Sequence, residues 1–356
     1  MMRILFVIAG LGRGGAETQV IRLTEKLMQD HKVKIISLLE DNAFQQRIDS
    51  QKMDVVTLPI NGRSRLFKNL GRVLQEMRQF QPDCLIGFMF HGIMVARLGS
   101  LLTRKPSIGS IRTEKAQGFK DRLLQWTDFL SRGMVVNAEN TRNKLIERKI
   151  TSGSKIQVIN NAMDDVFFEE PLQSVSPASR FRWVTIGRLI EAKGHDLLIR
   201  AMTELPEAEL TVVGGGPLRA QLEELVGTLN LQDRVHLVGD SSDIRPHLRA
   251  ADAFVLSSRW EGMPNALLEA MAAGKACVTT NVGGVQALQG NHLLVVPAND
   301  EAHLAKGMRN MMQFSAEERA LMGKQARQLV REHFSASAVV KMWEEFIQNS
   351  SNHRRI

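Results

Sequence analysis

Short apolar runs alternate with amphipathic helical patterns along almost the whole chain, and this restricts it to a parallel α/β architecture. The strand candidates of the first half are residues 4–8, 33–38, 54–58, 84–87, 107–111, 134–136 and 156–159. Between 160 and 180 the pattern lapses into Pro171, Ser174, Ser176, Pro177 and Ser179, a linker composition. A second series follows at 182–186, 210–213, 235–238, 253–256, 276–279 and 293–296. At 356 residues the chain is long for one core and comfortable for two. The economical reading is two parallel-sheet domains facing a central cleft, 1–165 and 181–336, joined by a linker at 166–180.

Within the second series, Glu261 and Glu269 flank Gly262, Met263, Pro264, Asn265 and Ala266 across a predicted loop-to-helix junction. The apolar run 253–256 ends at Ser257 and Ser258, Pro264 suits a first helical turn, and 266–273 is rich in helix formers. A helix start offers unpaired N–H groups and partial positive charge, so it can hold a diphosphate while carboxylates accept from hydroxyls. Upstream, Gly187, Arg188, Lys193 and Gly194 follow the strand candidate 182–186. Both cations thus emerge at the carboxyl end of a strand, the edge where open parallel sheets bind ligands. A guanidinium fork and a mobile ammonium suit two phosphates.

These residues carry a resemblance to the retaining glycosyltransferases of family 4, whose GT-B fold pairs two Rossmann-like domains. The matching motifs, in order, are Gly12, Gly14, Gly15 and Glu17 after the first strand; Asn161 to Asp164; Gly187 and Arg188 with Lys193; Gly214 to Pro217; the Glu261/Glu269 pair; and Val282 to Gly284. The resemblance implies that Arg188 and Lys193 contact the donor diphosphate, that Glu269 holds the ribose and that Glu261 faces the transferred sugar. It extends the expected donor contacts to Gly14, Gly15 and Gly216. The run 214–216 reads equally as a turn or a nucleotide contact. It also implies that the closing helix, 337–350, with Val339, Met342, Trp343, Phe346 and Ile347 on one face, returns to the first domain.

No Asp-x-Asp sequence and no His/Cys/carboxylate cluster with ligand spacing occurs, so no metal or other cofactor is expected and protein cations must neutralise the diphosphate. The resemblance implies transfer of a sugar, with retention, from a nucleotide-diphosphate sugar, a UDP-sugar by preference, to a glycan or lipid-linked saccharide. On the acceptor side, many members of the family that the chain resembles carry a His after the strand at 107–111, where this chain has Arg112; His91 follows the preceding strand instead. Arg112 could bind sugar or phosphate, and His91 is either an acceptor contact or a strand-end histidine. A second departure is Ala287, where members of that family commonly have a Glu shortly after the Gly-Gly pair.

Gly10, Gly12 and Gly15 with Glu40 also satisfy a dinucleotide fingerprint, which keeps an NAD-dependent oxidoreductase as an alternative, beside a GT-B-type sugar-nucleotide epimerase. Charge is lopsided: residues 1–170 hold 26 Lys/Arg and 18 Asp/Glu, whereas 171–356 hold 20 of each. A basic half attracts anionic lipid or phosphorylated substrate, and with no nucleic-acid motif and few aromatics, nucleic acid is not an expected partner. The segment 61–80 combines apolar residues at helical spacing with Arg63, Arg65, Lys68, Arg72 and Arg78, which suits either a membrane surface or a helix on its own sheet. The apolar start at residues 2–10 reads as a buried strand, and 85–102 is broken by His91 and Arg97. A cytoplasmic protein, peripheral on the inner membrane face, is expected. Cys84 and Cys277 read as buried thiols.

Overall fold

The computed structural model describes residues 1–12, 14–60, 63–112, 118–169 and 179–352, with side chains outside 63–68 and 351–352. It divides into two compact units, 1–162 with 336–356, and 163–335.

The first unit runs β1 (Arg3–Ile8), α1 (Gly15–Leu27), β2 (Lys32–Ser37), α2 (Gln45–Gln51), β3 (Asp54–Thr57), α3 (Arg63–Phe80), β4 (Cys84–Phe88), α4 (Met89–Thr103), β5 (Ser107–Ile111), α5 (Phe119–Trp126), β6 (Gly133–Val136), α6 (Glu139–Glu147) and β7 (Ile156–Val158). Its seven strands form a parallel sheet in the order β3-β2-β1-β4-β5-β6-β7. Both faces are covered, so the central strands are continuous apolar runs: Ile4, Leu5, Phe6 and Val7 are wholly buried. In α3 the described side chains place Val73 and Met77 in the core beside Leu5, Leu85 and Ala96, with Arg72 and Arg78 outside. That is a helix packed on its own sheet; Arg63, Arg65 and Lys68 have side chains outside the described set.

The second unit contains α7 (Val166–Glu169), β8 (Phe181–Ile186), α8 (His195–Ala201), β9 (Ala208–Val213), α9 (Arg219–Thr228), β10 (Val235–Gly239), α10 (Arg245–Ala250), β11 (Ala253–Leu256), α11 (Asn265–Ala272), β12 (Cys277–Thr280), β13 (Leu293–Val296), α12 (Glu301–Gln313) and α13 (Ala316–Phe334). Its six strands are also parallel, in the order β10-β9-β8-β11-β12-β13. Residues 166–169, placed in the linker by composition, are instead helical, because Val166, Phe167 and Phe168 pack against the second core and Met163 N donates to Phe334 O at 2.7 Å. The last helix, α14 (Ala336–Asn352), belongs to the first unit. Val339, Trp343 and Ile347, each four residues after the last, bury one face in the first core, and Trp343 stacks on Phe88. Cys84 and Cys277 are buried free thiols; burial raises both pKa values, that of Cys84 to about 12.

Candidate active site

Strand order decides where a ligand can sit. In the second unit the order reverses between β8 and β11, and the crevice at the carboxyl ends of such neighbours is the binding position of open parallel sheets. The loop after β8 carries Gly187, Arg188 and Lys193, and the loop after β11 carries Ser257 to Pro264. These loops are stitched together: Ser257 Oγ donates to Lys193 O (2.9 Å), Arg259 N to Ala192 O (2.7 Å), and the Arg259 guanidinium grips both oxygens of Asp196 (2.7 and 2.6 Å). Hydrogen bonding and the charge of Arg259 hold the Asp196 carboxyl below its ordinary pKa.

The central contact joins two residues assigned separate roles from sequence. Lys193 Nζ donates to Glu261 Oε1 at 2.5 Å, and Ser258 Oγ donates to the same oxygen at 2.9 Å. Thr280 Oγ1 holds Ser258 O from β12 at 2.7 Å. The stem of Lys193 passes over Gly187, where a Cβ would meet Lys193 Cδ at 3.4 Å. Arg188, one residue beyond the strand extension, is exposed, and among the described residues its guanidinium has no partner. The site therefore presents one open cation beside an ammonium already paired with a carboxylate.

The glycine loops close around this pair. Gly283 has φ +44°, and a Cβ there would lie 2.1 Å from Glu261 O; Gly284 N donates to Gly262 O at 2.6 Å. Gly214 comes so near the β8 loop that a Cβ would lie 2.0 Å from Gly187 O, and Gly216 approaches Leu189 in the same way. Gly215 N donates to Asp240 Oδ1 (2.8 Å), tying in the end of β10. This run is thus a close crossing of two loops.

Helix α11 starts at Asn265, with Pro264 at the N-cap rather than in the first turn, because its ψ of 102° is still extended. Met263, Pro264 and Ala266 are buried, and Met263 and Ala266 belong to the second core, so only their backbones can reach a donor. Glu269 lies partly exposed in the second turn of α11. Sequence reasoning passed over Asp196, Arg259 and Thr280. The pairing of Asp196 and Arg259 joins residues 63 positions apart, which spacing cannot reveal.

In the first unit the sheet order reverses between β1 and β4. Gly14 is the N-cap of α1 and Gly15 its first residue; Thr18 N and Oγ1 both bond Gly14 O. His91 is not at a strand end but in the first turn of α4, since Met89 turns the chain at φ +58° directly after β4. It is exposed, edge-on to the Phe90 ring, and partial desolvation with the nearby Lys120 charge lowers its pKa. Arg112 instead turns inward. Its Nη1 donates to Asn161 Oδ1 (2.7 Å), its Nε to Ser110 Oγ (3.1 Å), and its guanidinium lies over Phe88 and Trp343. Burial lowers its pKa to about 9, which leaves it cationic at neutral pH, and its buried Nη2 has no partner among the described residues.

Residues 13–167 match the family described as Glycosyltransferase Family 4, and residues 167–329 match Glycosyl transferases group 1. EpsF of Bacillus subtilis, provisionally named a glycosyltransferase, is 27% identical over 367 residues, 92% of this chain and 94% of its own. A Campylobacter jejuni enzyme, named as an N-acetylgalactosaminyltransferase for a diphospho-undecaprenol saccharide, is 28% identical over 182 residues, half of each chain. The crystal structure of Anabaena HepE with UDP-glucose has a TM-score of 0.86 at 19% identity, covering 98% of this chain and all of that one. Together the two family matches account for both parallel-sheet units, which a nicotinamide oxidoreductase reading does not. The chain belongs to the family 4 glycosyltransferases of GT-B fold.

Proposed function

We propose that this glycosyltransferase is a retaining, metal-independent enzyme that moves a sugar from a UDP-sugar to a hydroxyl of a lipid-linked saccharide in cell-surface polysaccharide synthesis. The observation carrying the reading is the Lys193–Glu261 contact beside exposed Arg188 at the β8/β11 reversal. Arg188 meets the arriving diphosphate first. Lys193 then has two anionic claimants and turns part of its hydrogen bonding from Glu261 to the β-phosphate, freeing a Glu261 oxygen to accept from a sugar hydroxyl. The bond between the anomeric carbon and the β-phosphate oxygen breaks, the acceptor oxygen bonds that carbon on the same face, and its proton passes to the departing phosphate. Fixed cations stabilise the charge that grows on the leaving group.

HepE supports a uridine donor through its complex with UDP-glucose, and the Campylobacter relative supports a lipid-diphosphate acceptor through its name. No helix among the described residues is long and apolar enough to cross a membrane, so contact with such an acceptor would be made from the surface. The deciding experiment is a nucleotide-sugar panel assayed for released nucleoside diphosphate, with and without membrane extract. Acceptor-dependent UDP release is expected. Conversion of a nucleotide sugar without acceptor or loss of nucleotide would favour an epimerase.

A further inference from the structure

The outward face of α5 has a composition that a water-facing helix does not need. Phe129 (77% exposed), Phe119 (67%) and Trp126 (66%) all fall between β5 and β6. On α5, Phe119, Arg122 and Trp126 recur at intervals of three and four residues, so they share one face, opposite buried Leu124. Leu101 and Leu102, in the last turn of α4, are also exposed. They lie at the end of the layer reached by Trp126 and Phe129, since α4 and α5 both run back toward the amino edge of the sheet, where Ser107 Oγ donates to Leu130 O at 2.8 Å.

This surface is held rigidly. Buried Arg97, from α4, donates to Leu124 O (2.7 Å), Thr127 Oγ1 (2.6 Å) and Ser131 Oγ (2.8 Å), clamping the end of α5. Charge around it is one-sided. The acids Asp121 and Asp128 are engaged by Arg148 (3.2 Å) and Lys155 (2.9 Å). Asp83, at the amino edge, meets Lys105 at 3.5 Å and accepts from Arg3 N. Lys120, Arg122, Arg104 and Arg132 remain exposed.

We propose that α5 lies flat on an anionic leaflet, inserting Trp126, Phe119 and Phe129 at the headgroup boundary while the cations meet lipid phosphates. The proposal rests on the reading of a lipid-linked acceptor and locates where that lipid arrives. Lys120 in the first turn of α5 lies over the Phe90 ring, beside His91, so the acceptor edge of this unit adjoins the leaflet. The docking face is therefore α5 rather than the basic helix α3.

The test uses the full chain with vesicles of phosphatidylglycerol and phosphatidylethanolamine, against phosphatidylcholine alone. Trp126→Ala with Phe129→Ala should lower partition onto anionic vesicles by about tenfold, and Arg104→Glu with Arg132→Glu should do so in a salt-sensitive manner. UDP affinity should not change in either. Trp126 fluorescence, isolated by difference from Trp126→Phe, should be quenched by brominated acyl chains. Full binding by the aromatic double variant, loss confined to an Arg65→Glu, Lys68→Glu, Arg72→Glu variant, or absence of quenching would each overturn the proposal. So would vesicle-independent dimerisation abolished by Trp126→Ala, which would make the face a self-association surface. Loss of UDP release with vesicle binding retained would sink the transferase reading alone.

Discussion

At the scale of single residues, the Lys193–Glu261 contact couples the loops after β8 and β11. Arg188→Ala and Lys193→Ala should each lose roughly 2–4 kcal/mol of transition-state stabilisation, read as kcat/KM for UDP-sugar turnover. Because Lys193 and Glu261 share a hydrogen bond, Lys193→Ala with Glu261→Gln should cost clearly less than the sum of the single changes, whereas Arg188→Ala should combine additively with Glu261→Gln. Strict additivity of both doubles would show that the contact plays no part in turnover. His195, adjoining the same loop and 3% exposed, gives a pH signature. Burial, then the charge of Lys193, holds its pKa down to about 4 from 6.5. The folded state keeps the imidazole neutral while the unfolded chain binds a proton below about pH 6.5, so stability is full above that pH and declines toward pH 4. The loss should reach about 2 kcal/mol by pH 5. Urea midpoints at pH 5 and 7 should differ less in His195→Gln than in the parent; equal slopes would remove the histidine from the account. Arg188, Lys193 and Glu261 could be picked out in sequence as residue types after the strands that became β8 and β11. Sequence could not supply their contact, because 68 positions separate Lys193 from Glu261 and only the adjacency of β8 and β11 closes that gap.

At the scale of elements, the thirteen strands of the described residues were legible as apolar runs. In the interior strands β4, β5, β6, β11 and β12 burial on both faces removes polar alternation, whereas the edge strands β3 and β10 keep exposed positions and were legible by their place in the β-α alternation. Helix starts were less so. His91 reads as a strand end because no capping residue separates β4 from α4; the turn is made by Met89 in a left-handed conformation that no sequence pattern announces. Two glycine replacements separate support of the site from helix propensity. Gly283→Ala should push the loop off Glu261 O and Gly262 O, costing about 1–3 kcal/mol in strain and lowering turnover beyond what the stability loss explains. Undiminished turnover in folded Gly283→Ala would detach that loop from catalysis. Gly71, in α3, has open space around its missing Cβ. There Gly71→Ala should raise stability by about 0.5–1 kcal/mol with activity unchanged, measured by denaturant midpoint.

At the scale of the whole molecule, the chain leaves its first unit after Ala162 and comes back at Ala336, so the unit bearing His91 and Arg112 is completed by the last helix. Trp343 is the anchor of that return: it is wholly buried, stacks on Phe88 and shares the guanidinium face of Arg112. The residues proposed to bind the donor, in contrast, lie in the continuous stretch 163–335, apart from Gly14 and Gly15 expected from the resemblance. The two kinds of perturbation should therefore act on different cores. Trp343→Ala should destabilise the first unit by about 3–5 kcal/mol through the cavity it leaves. UDP at about a hundredfold its Kd should stabilise whichever unit binds it by about 2.7 kcal/mol. Calorimetry of the full chain should then resolve a transition lowered by Trp343→Ala and insensitive to UDP, and another raised by UDP and insensitive to Trp343→Ala. If UDP raises the same transition that Trp343→Ala lowers, the nucleotide is held by the first unit's glycine loop, and the assignment of Arg188, Lys193 and Glu269 to the donor falls with it.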